Sequence, residues 1–226
     1  MTKPLLIIGN KNYSSWSLRG WLALTMAGID FDEKIIPLFE SDHADTMARE
    51  TTAGKVPVLI DGDATIWESL AIAEYAAELN PDAGLWPADA GLRAEARSIS
   101  CEMISGFTGL RNQFHMNCRR RIEGITPSEA ATADITRIQH IWRDCRNKYS
   151  DNEAGEAGEA GGDFLFGAFS IADVMYAPVV FRFENYFIDV DPICRAYMTA
   201  ILSLPAIQAW KAAAEAEPWV IEEEEL

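Results

Sequence analysis

The sequence predicts an α/β domain over residues 1–80, a linker at 81–90, and an all-helical domain over 91–226. Three observations carry this. Up to residue 80, apolar runs and helical repeats alternate in the order strand, helix, strand, connecting segment, strand, strand, helix. Asn80-Pro81-Asp82-Ala83-Gly84 then breaks the pattern, with Pro87 and Gly91 continuing the break. Beyond it, the periodic segments repeat every three and four residues, as helices do.

Leu5-Leu6-Ile7-Ile8 is short and continuously apolar, which fits a buried strand. Met1 to Asn10 has one lysine and a short apolar stretch, then Asn10-Lys11-Asn12-Tyr13 follows, so a first strand and not a signal peptide is expected here. Leu18, Trp21, Leu22 and Leu24 follow at helical spacing, and Gly28 is a C-terminal stop. Phe31 to Pro37 is the second strand, so the first unit is βαβ with parallel strands. Glu40 to Gly54 is polar, a helix or an irregular loop. Val56 to Ile60 and Ala64 to Trp67 flank Asp61-Gly62-Asp63 and form an antiparallel hairpin. Ser69 opens a helix with Ile72, Tyr75, Ala76 and Leu79 on one face.

In the second half, Leu92, Ala96, Ile99, Met103, Phe107, Leu110 and Phe114 keep one helical register, so a single helix is expected from Leu92 to Arg121. Gly106 and Gly109 weaken it and mark close packing or a bend. Thr126-Pro127-Ser128-Glu129 reads as a helix start with Thr126 as the cap. Asn152 to Gly162 is an acidic, glycine-rich loop. Ser170-Ile171-Ala172-Asp173 is a second capping signature, with Asp173 a structural partner of the cap. Two short helices follow near 192–202 and 205–216, and the tail of four glutamates is expected to fray.

The 226 residues carry 19 Lys and Arg against 35 Asp and Glu, a net charge of −16. That balance opposes a nucleic-acid surface, which is held mainly by Lys and Arg. No apolar run approaches the roughly 20 residues that span a bilayer. Cys101, Cys118, Cys145 and Cys194 form no metal spacing, and His43, His115 and His140 are dispersed, so no metal site and reduced thiols are expected. The expected location is cytoplasmic, with no nucleic-acid or membrane partner.

Several motifs fall in one order along this plan. Tyr13-Ser14-Ser15-Trp16-Ser17-Leu18-Arg19 resembles the Ser-Ser-Cys-Ser-Trp-Arg stretch of zeta-class glutathione S-transferases. Lys55-Val56-Pro57, Trp67-Glu68-Ser69 and Ala71-Ile72-Ala73-Glu74-Tyr75 are similar to the family's glutathione-binding segments, and Phe166-Gly167 with Ser170–Asp173 to its helical-domain signature. The chain therefore resembles the cytosolic glutathione S-transferase family over nearly its whole length. The resemblance implies a thioredoxin-like N-terminal domain, an all-helical C-terminal domain, glutathione as co-substrate, a small electrophile as second substrate, and a homodimer. The implied activity is transfer of the glutathione thiolate. Isomerisation of the maleylacetoacetate type, or a weakly active glutathione-binding or protein-binding module, are the alternatives.

Physical chemistry assigns roles on that basis. Ser14 and Ser15 precede the first helix, whose N-terminus favours a negative charge. A hydroxyl there can donate to a thiolate, and Ser14 is the first candidate donor, Ser15 the second and Tyr13 the third. Trp16 stands where the family motif carries cysteine, which removes a protein thiol from that position. A cis Val56-Pro57 bond is expected, and the resemblance implies that Val56 backbone groups pair with the cysteinyl unit of glutathione. Glu68 suits the γ-glutamyl ammonium, Ser69 the adjacent carboxylate, and Lys55 the glycyl carboxylate. His43 falls in the variable second-helix region. For the second substrate, Met103, Phe107, Arg111, Phe114 and His115 are expected on one helix, with Arg111 suited to an anionic group. Arg119-Arg120-Arg121 is expected as a solvated helix end.

Overall fold

The structure is a computed structural model that describes residues 3–40, 43–51, 53–149 and 162–225. The elements run β1 (Leu5–Ile8), α1 (Ser15–Met26), β2 (Asp32–Ile35), α2 (His43–Glu50), β3 (Val58–Asp61), β4 (Ala64–Trp67) and α3 (Ser69–Leu79). Helices α4 (Ala90–Ser105), α5 (Thr108–Gln113), α6 (Glu129–Tyr149), α7 (Ile171–Asn185), α8 (Pro192–Ser203) and α9 (Pro205–Ala216) follow. The α/β-then-helical plan is therefore the observed one. The linker holds one 3-10 turn at Pro81–Ala83. The glycine-rich stretch lies, except for Gly162, outside the described residues.

The four strands are ordered β2-β1-β3-β4. β1 and β2 are parallel, because α1 crosses between them, and the β3–β4 hairpin is antiparallel. Alternation along β1 divides the core, since successive strand residues face opposite sides. Leu6 and Ile8 join the large apolar cluster with α1, α3 and the helical domain. Ile7 faces away and meets Ile36, Met47 and Val58 beneath α2. Gly28 ends α1 at φ +69°, the left-handed conformation that glycine adopts without a Cβ penalty.

Helix α7 runs through the middle of the helical domain. Apart from Glu184, its residues from Ile171 to Asn185 are all buried, as expected of a helix that is apolar all round. Trp142 on α6 is fully buried and packs its ring against Tyr176, Phe183 and Tyr197. Helix α1 packs against α7 and α9, so the first turn of α1 is seated on the second domain.

The structure corrects four sequence expectations. The single helix from Leu92 to Arg121 is two helices. Gly106 is extended at φ −104° and ψ −165°, and Phe107 sits at φ +56°. The apolar spacing continues across that break because both pieces bury the same side against the same core. Second, α6 is capped by Ser128, whose Oγ accepts from the Ala131 N–H at 3.2 Å, and not by Thr126. Third, the glutamate tail is pinned: Glu222–Glu224 form a 3-10 turn, and the Glu225 carboxylate accepts from the Tyr13 hydroxyl and from Asn117. Arg119 and Arg120 serve this anchorage and Arg121 pairs with Glu184, so this basic run is not a helix end.

Gly109 marks the close packing. A Cβ there would lie 2.6 Å from the Ala130 carbonyl carbon, so α5 and α6 meet backbone to backbone. Gly109→Ala is expected to cost about 1–3 kcal/mol, read as a lower denaturation midpoint with unchanged slope.

Candidate active site

The segment before α1 is fixed by buried polar contacts. Lys11 and Asn12 N–H groups donate to the Glu217 carboxylate at 2.7 and 3.1 Å, across the domain boundary. The Gly9 N–H donates to Ser17 Oγ at 2.9 Å. Ser14 is the N-cap of α1, its Oγ accepting from the Ser17 N–H at 3.3 Å and lying 2.7 Å from Ser17 Oγ.

Two cavities adjoin at this helix start. The first, about 230 Å³, is lined by Trp16, Lys55, Val56, Pro57, Glu68 and Ser69, with Ile104 reaching in from α4. The second, about 390 Å³, is lined by Ser14, Trp16, Phe39, His43, Lys55 and Val56. Trp16, Lys55 and Val56 are common to both, so the pair forms one cleft with two chambers.

The Val56–Pro57 peptide is cis, as the sequence reading expects. Glu68 holds φ +68°, a left-handed value at which a non-glycine residue is strained. It makes no side-chain cap to α3, and the first N–H groups of a helix have no intrahelical acceptor. The Ser69 hydroxyl donates to the Trp16 carbonyl at 2.9 Å, which ties the starts of α1 and α3 together. The first chamber thus offers a helix N-terminus, a carboxylate, a lysine and a backbone edge within one volume. That set matches a zwitterionic peptide.

The structure divides the sequence candidates. Ser14, Lys55, Val56, Pro57, Glu68 and Ser69 are gathered on the cleft. Ser15 faces away from it, with Oγ accepting from Arg182 Nη2 at 3.4 Å. Tyr13 is not on the cleft: its hydroxyl bonds Glu225 and accepts from Arg119 and from the Ile221 N–H. Burial and the Glu225 contact push its ionisation up. Tyr13 is therefore an anchor for the tail.

The second-substrate set also needs correction. Met103 and Phe114 are fully buried core residues, and Phe107 is 5% exposed at the helix break. Phe114 packs edge-on against Tyr186. His115 pairs with Glu224 at 2.6 Å. None of these four lines either chamber. Arg111 donates to the Gly106 carbonyl at 2.8 Å and lies 5.5 Å from the centre of the Trp16 ring, so it borders the cleft only through that ring. The walls that spacing missed are Trp16, Ile104 and Phe39. Ile104 is next to Met103, and the signal was there in the helical phase: one residue turns the side chain by about 100°, from the core to the cleft.

Among the described residues, no three His, Cys, Asp or Glu side chains cluster in a way that could hold a metal ion.

The family model "Glutathione S-transferase, N-terminal domain" matches residues 13–79, and "Glutathione S-transferase, C-terminal domain" matches residues 138–210. A maleylacetoacetate isomerase of Rattus norvegicus is 31% identical over 222 residues, covering 91% of each chain. Glutathione S-transferase Z2 of Arabidopsis thaliana is 28% identical over 214 residues, 88% of each chain. Among solved structures, a glutathione transferase homolog from Burkholderia with bound glutathione superimposes with a TM-score of 0.67 at 24% identity, covering 96% of this chain and 100% of that one. A glutathione S-transferase from the Antarctic clam Laternula elliptica gives a TM-score of 0.69 at 21% identity, over 96% of each chain. Both share the two-domain fold.

Proposed function

The chain belongs to the glutathione S-transferase family, and from that premise we propose that it is a glutathione transferase whose first chamber holds the peptide and whose second admits a small electrophile. The observation that carries this is the position of Ser14, the N-cap of α1 and a residue of the cleft wall. The Ser14 hydroxyl donates to Ser17 Oγ at 2.7 Å; when its proton turns to a sulfur, Ser14 Oγ still accepts from the Ser17 N–H and Ser17 Oγ still accepts from the Gly9 N–H. The S–H bond breaks, its proton leaves to solvent, and the electron pair stays on sulfur. The thiolate then forms a C–S bond to the electrophile, with loss of a leaving group or saturation of a conjugated bond.

In the same reading, Glu68 meets the γ-glutamyl ammonium, the α3 N-terminus with Ser69 its carboxylate, and Lys55 the glycyl carboxylate. Val56 offers backbone groups to the cysteinyl unit. The homodimer and the cytoplasmic location implied by the resemblance belong to the proposal. The charge of −16 opposes a nucleic-acid partner, and among the described residues no helix is long and apolar enough to cross a membrane.

A second reading is favoured by the relatives named maleylacetoacetate isomerase in rat and, as probable, in Caenorhabditis elegans, the latter 27% identical. Such an isomerase uses the same thiolate, which adds to a conjugated alkene, permits rotation, and departs. Trp16 stands where the zeta-class motif carries cysteine, and it lines the cleft.

Isothermal titration of glutathione at neutral pH, with the ultraviolet thiolate band followed in parallel, tests the reading. Binding with a new thiolate band is the expected result. Binding without it favours a carrier, and no binding at millimolar glutathione overturns the site. Turnover of an alkylating electrophile against that of a cis conjugated diketo acid then separates transferase from isomerase.

A further inference from the structure

Behind the cleft lie three arginines that the assigned roles do not use. Arg19 on α1 is fully buried, and Arg182 on α7 is 5% exposed. Arg111 on α5 is half-buried. Their hydrogen bonds go to backbone carbonyls and one hydroxyl. Arg19 donates to Met175 O at 2.9 Å and Ser15 O at 3.3 Å. Arg182 donates to Phe114 O, Pro178 O and Ser15 Oγ. Arg111 donates to Gly106 O. Among the described residues, Arg19 Nη2 and Arg111 Nε are buried without any hydrogen-bond partner.

Burying one unpaired charge is costly, and burying three together is costlier. They also adjoin the positive end of α1. Arg19 contacts the carbonyl of Ser15, Arg182 its hydroxyl, and Arg19 and Arg111 lie 4.3 and 5.5 Å from the centre of the Trp16 ring. All three therefore converge on the first turn of the helix that Ser14 caps. Burial and mutual repulsion lower the proton affinity of Arg19 and of Arg182, the latter to about 10, so each retains its charge less readily than in water. A negative charge brought to the same turn relieves this cost.

We propose that Arg19, Arg111 and Arg182 are positioning residues that form a cationic base under Ser15 and Trp16 and hold the sulfur of bound glutathione in its thiolate form. The inference rests on the glutathione reading above and adds to it the source of the field. Ser14 supplies one hydrogen bond, and the base supplies charge through the Trp16 layer without touching the ligand. Other groups set the background. Lys55 and Glu68 face the first chamber and His43 the second. Glu224 on the tail partly offsets Arg182, and Asp134 on α6 partly offsets Arg111. The hydroxyls of Tyr176 and Tyr186 are held protonated by burial.

The test is a pH titration of the thiolate band of glutathione bound to the full chain, in wild type, Arg111→Met and Arg111→Lys. Arg111→Met is expected to raise the midpoint by about 0.5–1 pH unit, which lowers the thiolate fraction on the acid side about three- to tenfold. Arg111→Lys keeps the charge and is expected to stay within about 0.3 unit of wild type. Affinity for S-methylglutathione, which has no ionisable sulfur, is expected to stay within about threefold in both. Arg182→Met against Arg182→Lys is expected to show the same ordering. An unmoved midpoint in Arg111→Met, or equal shifts in the Met and Lys variants, overturns the proposal, because then charge is not what acts. A wild-type protein that binds no glutathione, or shows no thiolate band, removes the reading beneath it and is distinguishable from either result.

Discussion

Ser14→Ala is expected to lower kcat/KM with a small electrophile by about 10²–10³-fold, the range found when one preorganised donor to a developing anion is removed. The structure supports Ser14 over its neighbour on three grounds. Ser14 lines the cleft and Ser15 does not. The Ser14 hydroxyl donates to Ser17 Oγ and accepts from the Ser17 N–H, and because Ser17 Oγ also accepts from the Gly9 N–H, rotation about one C–O bond redirects the Ser14 proton to a sulfur without leaving Ser17 Oγ unpaired. Ser15 Oγ is engaged by Arg182 instead. Ser15→Ala is therefore expected to cost less than about tenfold. Loss of the cap in Ser14→Ala costs about 1 kcal/mol of stability, a fall in Tm of about 2–4 °C, which does not explain a hundredfold loss of turnover. Affinity for S-methylglutathione is expected to persist while the thiolate midpoint rises. A larger loss in Ser15→Ala than in Ser14→Ala would reverse the assignment.

The parts of this fold that were legible share one property: their signals are local. The continuous apolar run Leu5 to Ile8 and the Asp61-Gly62-Asp63 turn specify strands within a few residues, and Gly28 specifies a stop at one position. The cleft residues Ser14, Glu68 and Ser69 were legible because each stands at a helix start, where spacing and chemistry coincide. The missing parts were non-local. Met103, Phe107, Leu110 and Phe114 keep helical spacing across a backbone break, since a shared core demands the same phase on either side of Gly106. Four consecutive glutamates look solvated until Tyr13, Asn117, Arg119 and Arg120, over a hundred positions away, are seen to receive them. The arginine base was invisible for the same reason: Arg19, Arg111 and Arg182 lie on three helices and meet only when those helices pack.

Asp173 is expected to carry a large stability effect for a single polar side chain. It sits at the third position of α7 and is fully buried. Its carboxylate accepts from the Leu165 N–H at 3.1 Å, the Ser170 N–H at 2.8 Å and the Ser170 hydroxyl at 3.0 Å. It thereby closes the Phe164–Ala168 turn onto the central helix. Asp173→Ala leaves these donors buried and unpaired, so a loss of about 3–5 kcal/mol is expected, a fall in Tm of about 10 °C. The pH dependence has a definite sign. Burial raises the carboxyl to about 6 from an ordinary value of 3.8, outweighing the hydrogen bonds from Leu165, Ser170 and Tyr197 that lower it. Between those values the native state binds the proton and the unfolded chain does not. Stability from this group is therefore complete below about pH 4 and is lost as pH rises through about 6, by an amount on the order of 3 kcal/mol. Other carboxylates titrate in the same window, so the informative quantity is the difference between wild type and variant. Urea unfolding at intervals from pH 4 to pH 7 is expected to show the gap between wild type and Asp173→Ala narrowing as pH rises, with Asp173→Asn lacking the same slope while losing less stability. A gap that widens with rising pH would mean that the hydrogen bonds outweigh burial and that this carboxyl is ionised throughout the range.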